Sequence, residues 1–180
     1  MVYVFLAPGF EEIEALTPVD ILRRAGIEVK TVGVGDDIVM GAHGIPVKAD
    51  ISVDEIKLNS DLEMIVLPGG MPGADNLENS PEVLAAVDYC ADNNRYVAAI
   101  CAAPKILGHK RLLEGRYAIC FPGFEQELLG ANISNRAVTI DGKYITGKSA
   151  GVALKFALKL VEALVSKEKA LMLEASLKCK

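Results

Sequence analysis

The sequence predicts an α/β domain in which a doubly wound, mostly parallel sheet carries helices on both faces. Short β-branched apolar runs alternate along the chain with longer segments of helical period, the pattern of strands and crossover helices. The runs are apolar at nearly every position, as strands covered on both faces must be. A length of 180 residues gives one domain, 1–180, with room for a sizeable core, and no linker, repeat or low-complexity segment divides it.

Val2 to Leu6 is the first buried strand. Glu11 to Ala25 carries apolar residues at helical spacing, with a break expected at Pro18 and a stop at Gly26. Glu28 to Val34 is the next strand, and Ile38 to Lys48, interrupted by Gly41 and Gly44, is a small hairpin. Ser52-Val53-Asp54-Glu55 has the spacing of a capping box for a short helix. Met64 to Leu67 returns to the sheet. Ser80-Pro81 starts a helix that runs to about Asn93, with Ser as N-cap and Pro at the first helical position. Tyr96 to Ile100 is the central strand. Helices are expected near Ala102 to Lys110 and Val152 to Leu164, strands near Tyr117 and Val138, and a hairpin turn at Asp141-Gly142.

Composition narrows the function. The net charge is −5 and the Lys and Arg residues form no stripe, so nucleic acid is not an expected partner. No stretch approaches the ~20 apolar residues of a membrane span, and the chain opens directly into a strand without a basic, cleavable leader. The expected setting is the cytoplasm. Four cysteines without a C-x-x-C pair, and two histidines far apart in sequence, give no zinc ligand pattern and no disulfide framework.

In an open parallel sheet, ligands bind beyond the carboxyl ends of the strands, so the residues that follow each strand matter most. Cys101 stands between an apolar strand and a helix start, in Val97-Ala98-Ala99-Ile100-Cys101-Ala102-Ala103-Pro104. Its small neighbours permit a sharp turn of nucleophile-elbow type. A helix starting at Ala102 or Ala103 would aim free N–H groups at the sulfur and favour the thiolate. Cys90, mid-helix, and Cys179, in the tail, are expected to be inert. After Leu67 come Gly69 and Gly70, whose backbone N–H groups are open to an oxyanion. After the first strand come Glu11, Glu12 and Glu14. Glu11 and Glu12 read as surface charges that complement a helix dipole. Glu14, flanked by Ile13, Leu16 and Val19, reads as a partly buried carboxyl that keeps its proton and can pass it to sulfur.

Glu-Glu-x-Glu at Glu11 to Glu14, Leu-Pro-Gly-Gly-x-x-Gly-Ala-x-Asn-Leu at Leu67 to Leu77, and Ala-Ile-Cys-Ala-Ala-Pro at Ala99 to Pro104 closely resemble the ThiJ/PfpI superfamily and, within it, the DJ-one branch. The resemblance runs along the whole chain, including Ile145 to Gly151. It implies a flavodoxin-like, class I glutamine amidotransferase-like fold and a homodimer. It also implies Cys101 as nucleophile, Glu14 as its protonated partner, and Gly70 and Ala102 as backbone donors, with Phe121 and Ser149 completing the pocket. The first helix and the hairpin would form the dimer surface, bringing Arg24 or His43 near the partner's site.

The departures from the family also inform. Peptidase members carry His after the cysteine, where this chain has Ala102, so a cysteine peptidase is disfavoured. Phe121 stands where some members have a pocket His. His43 and His109 are expected to be solvated side chains without a placed partner. Gly142 to Ser149 satisfies the P-loop expression, but a hairpin there is the wrong context for phosphate. The activity implied is glutathione-independent glyoxalase or deglycase chemistry on α-oxoaldehydes such as methylglyoxal, without metal or organic cofactor. The alternative is a redox-sensing or chaperone-like oxidative-stress protein acting through oxidation of Cys101.

Overall fold

The computed structural model describes residues 1–178, so the reading of Cys179 lies outside the described residues. The first half of the chain comprises β1 (Val2–Leu6), α1 (Glu12–Arg24), β2 (Val29–Gly33), β3 (Ile38–Met40), β4 (Pro46–Lys48), β5 (Ile51–Ser52), β6 (Met64–Leu67), α2 (Gly73–Glu78) and α3 (Pro81–Asp92). The second half comprises β7 (Tyr96–Ile100), α4 (Pro104–His109), β8 (Tyr117–Ala118), β9 (Asn132–Ile133), β10 (Val138–Asp141), β11 (Tyr144–Gly147), α5 (Ala153–Leu164) and α6 (Lys167–Ser176).

Seven strands form the main sheet in the order β10-β11-β7-β6-β1-β2-β5, parallel except for the antiparallel edge strand β10. This is the doubly wound α/β architecture expected. Along β1 the side chains alternate between two cores, as strand geometry requires. Val2, Val4 and Leu6 pack with Leu22, Phe156 and Leu160 from α1 and α5 on one face. Tyr3 and Phe5 pack with Val83, Val87, Ile106 and Leu107 from α3 and α4 on the other. β1 leads to β2 on one side and the chain then crosses to β6 on the other, so the topological switch point lies between β1 and β6.

Local signals account for the element ends. Gly26 N–H bonds the Arg23 carbonyl and Ile27 N–H the Leu22 carbonyl, a Schellman stop for α1. Ser80 Oγ accepts the Val83 N–H at 3.3 Å to cap α3. The capping box at Ser52 and Glu55 closes a single 3₁₀ turn, Val53–Glu55. β3 pairs with β4, and β10 with β11, as the two antiparallel hairpins expected, which takes Gly142 to Ser149 out of any phosphate-loop geometry.

Three expectations are corrected. α1 does not break at Pro18 but runs through it. Proline removes the donor for the Glu14 carbonyl at a cost of ~3 kcal/mol. Val19, Ile21 and Leu22 are buried by the same helix, which packs along α5, and each contributes ~1.5–3 kcal/mol. The helix after Cys101 begins only at Pro104 and is six residues long. α2 and α6 were not expected, although Ser166 caps α6 by accepting the Lys169 N–H, an N-cap signal ahead of strong helix formers.

Candidate active site

The site lies at the switch point, where the carboxyl ends of β1, β6 and β7 converge. Glu11 caps α1, its Oε2 accepting the Glu14 N–H at 2.8 Å. That first turn carries the Glu14 side chain into the interior, where it has 0% exposure. Beyond β6, Gly69 donates its N–H to Glu14 Oε2 at 2.9 Å. A Cβ on Gly69 would stand 2.6 Å from that oxygen and 2.7 Å from the Cβ of Cys101, so only glycine fits between them. Gly70 has φ +88°, and a Cβ there would meet the Gly9 carbonyl oxygen at 2.4 Å.

Cys101 follows β7 with φ +65°, in the left-handed region. A non-glycine residue held there costs ~1–3 kcal/mol, a strain that persists only where the surroundings enforce it. Two hydrogen bonds enforce it here. Cys101 N–H donates to the Gly147 carbonyl at 2.9 Å, and its own carbonyl accepts the Phe121 N–H at 2.8 Å. The sharp turn expected at this cysteine is thus built by β11 and the segment after β8. Phe121 contributes through its backbone, and its side chain is exposed. Ser149 precedes the 3₁₀ turn Ala150–Val152, from which the Ala150 N–H approaches the Glu14 carboxyl. The Ala150 contact was not foreseen. Its signal was the glycine-flanked turn that follows β11.

The electrostatics of the pair decide what it can do. Burial raises Glu14 to about 7, against hydrogen bonding to Cys101 and Gly69 that pulls the other way. Burial, then the charge and hydrogen bonding of Glu14, push the Cys101 thiol up to about 12, while the N–H groups of Ala102 and Gly70 oppose. The expected helix dipole therefore does not dominate. Burial also lifts Cys90 and Cys120 to about 12, so a depressed thiol value is not what distinguishes Cys101. Its distinction is the carboxyl beside it. Glu14 Oε1 is buried and has no hydrogen-bond partner of ordinary geometry. A proton placed there cancels the negative charge that raises the thiol and supplies a donor for the sulfur. Each group thus opposes the ionisation of the other, which couples their titrations.

The remaining candidates divide differently. Glu12 is not a surface charge: it is 5% exposed, and its oxygens accept the His43 N–H and meet His43 Nδ1, both at 2.8 Å. This brings ligand atoms of Glu11, Glu12 and His43 within 4.8 Å of one another despite their separation in sequence, but His43 already occupies both Glu12 oxygens. His109 is not solvated and unpartnered either. Its Nδ1 meets Glu78 Oε1 at 2.5 Å and its Nε2 meets Glu127 Oε2 at 2.7 Å. Lys105, on the same helix, is buried against Asp75 and Glu78.

The profile of the DJ-1/PfpI family matches residues 1–163. The chain belongs to the DJ-1/PfpI family. It is similar to Protein DJ-1 homolog B of Arabidopsis thaliana, 38% identical over 172 residues that cover 94% of this chain and 39% of that protein. The chain thus spans about two fifths of that relative's length. It is 30% identical over 161 residues, 88% of this chain and 85% of the other, to a Caenorhabditis elegans protein named glutathione-independent glyoxalase DJR-1.2. The solved structure of oxidized Toxoplasma gondii DJ-1 superposes with a TM-score of 0.93 at 36% identity, covering 98% of this chain and 96% of that one.

Among the described residues of this DJ-1/PfpI domain no imidazole serves Cys101. Ala102 follows the cysteine, His43 is tied to Glu12, and His109 is held between Glu78 and Glu127. Among the shifted groups, Glu14 alone is placed against the sulfur. No helix among the described residues is long and apolar enough to cross a membrane.

Proposed function

We propose that this protein is a cysteine-dependent, glutathione-independent glyoxalase acting on α-oxoaldehydes such as methylglyoxal, or on their adducts with amines as a deglycase. The observation that carries the proposal is the Glu14–Cys101 pair, a thiol beside a carboxyl that burial raises to about 7. Its similarity to the C. elegans glyoxalase supports the same reading.

The sulfur of Cys101 adds to the aldehyde carbon. The carbonyl electron pair moves to oxygen, which receives the Glu14 proton, while the N–H groups of Gly70 and Ala102 are placed to steady the developing charge. Glu14, now a carboxylate, removes the hydrogen from that carbon to give an enediolate and returns it to the adjacent carbon, and then carries the remaining hydroxyl proton to the neighbouring oxygen. The product is a thioester of the hydroxyacid, which water cleaves to lactate and the free thiol. Each proton transfer falls to Glu14, the group with a value close to neutrality.

The test uses purified protein with methylglyoxal in a non-amine buffer and follows lactate. Activity is expected in the wild type and absent in Cys101→Ala. Lactate formation that survives Cys101→Ala refutes the proposal.

One observation favours a second reading, reversible oxidation of Cys101 to the sulfenic acid and onward to the sulfinic acid. Cys101 is partly exposed, whereas Cys90 and Cys120 are buried. Peptide mass analysis along a peroxide titration is expected to show Cys101 oxidised first, and equal sensitivity of Cys90 defeats this reading. A homodimer is part of the same proposal. Ile13 of α1 and Ile38, Met40 and Ile45 of the β3–β4 hairpin are exposed, and the Glu12–His43 pair fixes the hairpin against α1. Sedimentation of wild type and Met40→Glu tests the interface, with the variant expected to shift towards monomer.

A further inference from the structure

Lys105 is the second residue of α4, and its ammonium is buried with two carboxylates of α2, Asp75 in direct contact and Glu78 at 3.4 Å. The reaction proposed for Cys101 makes no use of it. We propose that Lys105 is a positioning residue, which through Asp75 holds the N–H groups of Gly70 and Ala102 at the spacing a developing negative charge requires. The inference rests on the role given to those two donors in the proposed reaction.

Hydrogen bonds connect the ion pair to both donors. α2 follows the Gly69–Gly70 turn, α4 follows the Cys101 turn, and the N–H groups of Gly70 and Ala102 face the sulfur. The Gly70 carbonyl accepts the Ala74 N–H at 2.9 Å, and Asp75 is the next residue. The Ala102 carbonyl accepts the N–H of Lys105 itself at 3.3 Å. A closed path therefore runs from Gly70 through Ala74 to Asp75, across the ion pair to Lys105, and back to Ala102. Among the described residues, the only other polar tie between the two helices is Glu78 with His109, a full turn further along α4. The two turns also meet directly, since a Cβ on Gly69 would stand 3.0 Å from the Ala102 nitrogen.

Stability does not explain the choice of a charge. Lysine is almost never buried without a partner, and apolar residues of similar volume often hold two helices as well as a buried ion pair does. What the pair adds is geometry. An ammonium must meet named oxygens at hydrogen-bond distance, whereas an apolar contact tolerates sliding. Sliding is costly at an oxyanion site, where a misplacement of ~1 Å removes much of the benefit.

The test compares Lys105→Met, Asp75→Asn and the double variant with Lys110→Met, which breaks an ion pair between the same end of the chain's α4 region and Asp88 of α3. Two readouts are taken, lactate formation from methylglyoxal and the rate of Cys101 alkylation by iodoacetamide at one neutral pH. Lys105→Met should lower kcat and kcat/KM equally, about tenfold, because displaced donors weaken the transition state and not substrate binding. Its alkylation should slow about threefold, since weaker donors raise the thiol, and each unit costs tenfold in thiolate but returns part of it as nucleophilicity. Asp75→Asn should change both readouts in the same direction by a smaller factor, because Glu78 still holds Lys105. A charge effect through space would instead move alkylation oppositely in the two variants, as one removes a cation and the other an anion. The double variant should be no slower than Lys105→Met, as for two residues that act through one contact. Lys110→Met should match wild type.

Alkylation needs no aldehyde. If the wild type forms no lactate, the glyoxalase reading fails and alkylation still decides this one. The proposal is overturned if Lys105→Met and Asp75→Asn both react like wild type, if alkylation moves in opposite directions in the two, if the single losses multiply in the double variant, or if Lys110→Met loses as much. If Lys105→Met does not fold, Asp75→Asn decides alone, its side chain being 40% exposed and its loss expected in both readouts.

Discussion

Glu12 and Glu14 stand two residues apart in the first turn of α1, and both are buried, yet they are opposite kinds of carboxyl. Burial pushes Glu12 up, but the hydrogen bonds from the His43 side chain and backbone outweigh it and hold the group below its usual value. Each Glu12 oxygen has a partner, and the pair ties the hairpin to the helix. Glu14 has one oxygen on Gly69 and the other without a hydrogen bond of ordinary geometry, near the Cys101 sulfur and the Ala150 N–H, and burial prevails. Burial of a charge is therefore not the mark of a functional group in this molecule. A structural carboxyl is one whose partners are complete, and a reactive one is buried with a position left open.

The largest effect that can break this contrast is on turnover. General acid–base catalysis supplies ~10²–10⁴-fold, so Glu14→Gln should cost that much in lactate formation. Glu12→Gln should stay within a few fold of wild type, because Glu12 touches neither the sulfur nor its donors. Equal losses in the two variants would dissolve the distinction.

Stability should separate the two with opposite signs. Native Glu14 keeps its proton up to about 7, while the unfolded chain releases it near the ordinary value of 4.5. Between those values the native state binds more protons, so stability falls as pH rises through the window and stays lowered above it. The shift corresponds to ~3 kcal/mol. Glu14→Gln carries no charge to bury and should be more stable than wild type by up to that amount at about pH 8, with the gain vanishing at about pH 4. Glu12 has the reverse linkage. Its value is lowered in the native state, so its contribution is present above the unfolded value and lost as pH falls through the native one. Glu12→Gln should cost ~1 kcal/mol at neutral pH, a figure kept small because His43 is exposed to screening solvent. Urea unfolding of both variants at the two pH values measures this.

The same pair of residues shows what a sequence can and cannot disclose. Cys101 and Gly69-Gly70 were legible because they follow closely on strands, which the parallel sheet brings together, and Glu14 because it stands among apolar residues in the first turn of the helix after β1. Glu12 was misread because its partner, His43, lies 31 residues away on a hairpin whose docking leaves no local trace. The charged cluster of Lys105 and His109 on α4 escaped for the same reason, since Asp75 and Glu78 belong to α2, an element the periodicity did not reveal. Pro18 misled by a local rule that tertiary packing overrode.

The smallest effect bears most directly on how the pair works. If Glu14 and Cys101 titrate as a unit, the reactive form appears when the pair loses its first proton, near the Glu14 value of about 7. The rate of Cys101 alkylation by iodoacetamide should then rise about tenfold from pH 6 to pH 8 and level off, as for a group titrating near 7. Glu14→Gln removes the titrating partner, so this inflection should vanish and the rate should follow the buried thiol alone. Glu12→Gln should retain the inflection, because its carboxyl belongs to His43 and not to the sulfur. Cys90 and Cys120 serve as internal controls, both buried and raised to about 12, Cys90 by desolvation and Cys120 by desolvation and the charge of Glu125, with no hydrogen-bonded carboxyl at either sulfur. An inflection near 7 that persists in Glu14→Gln would mean that some other group sets the reactivity of Cys101. In that case the open position on Glu14 would be a packing accident, and the contrast with Glu12 would lose its meaning.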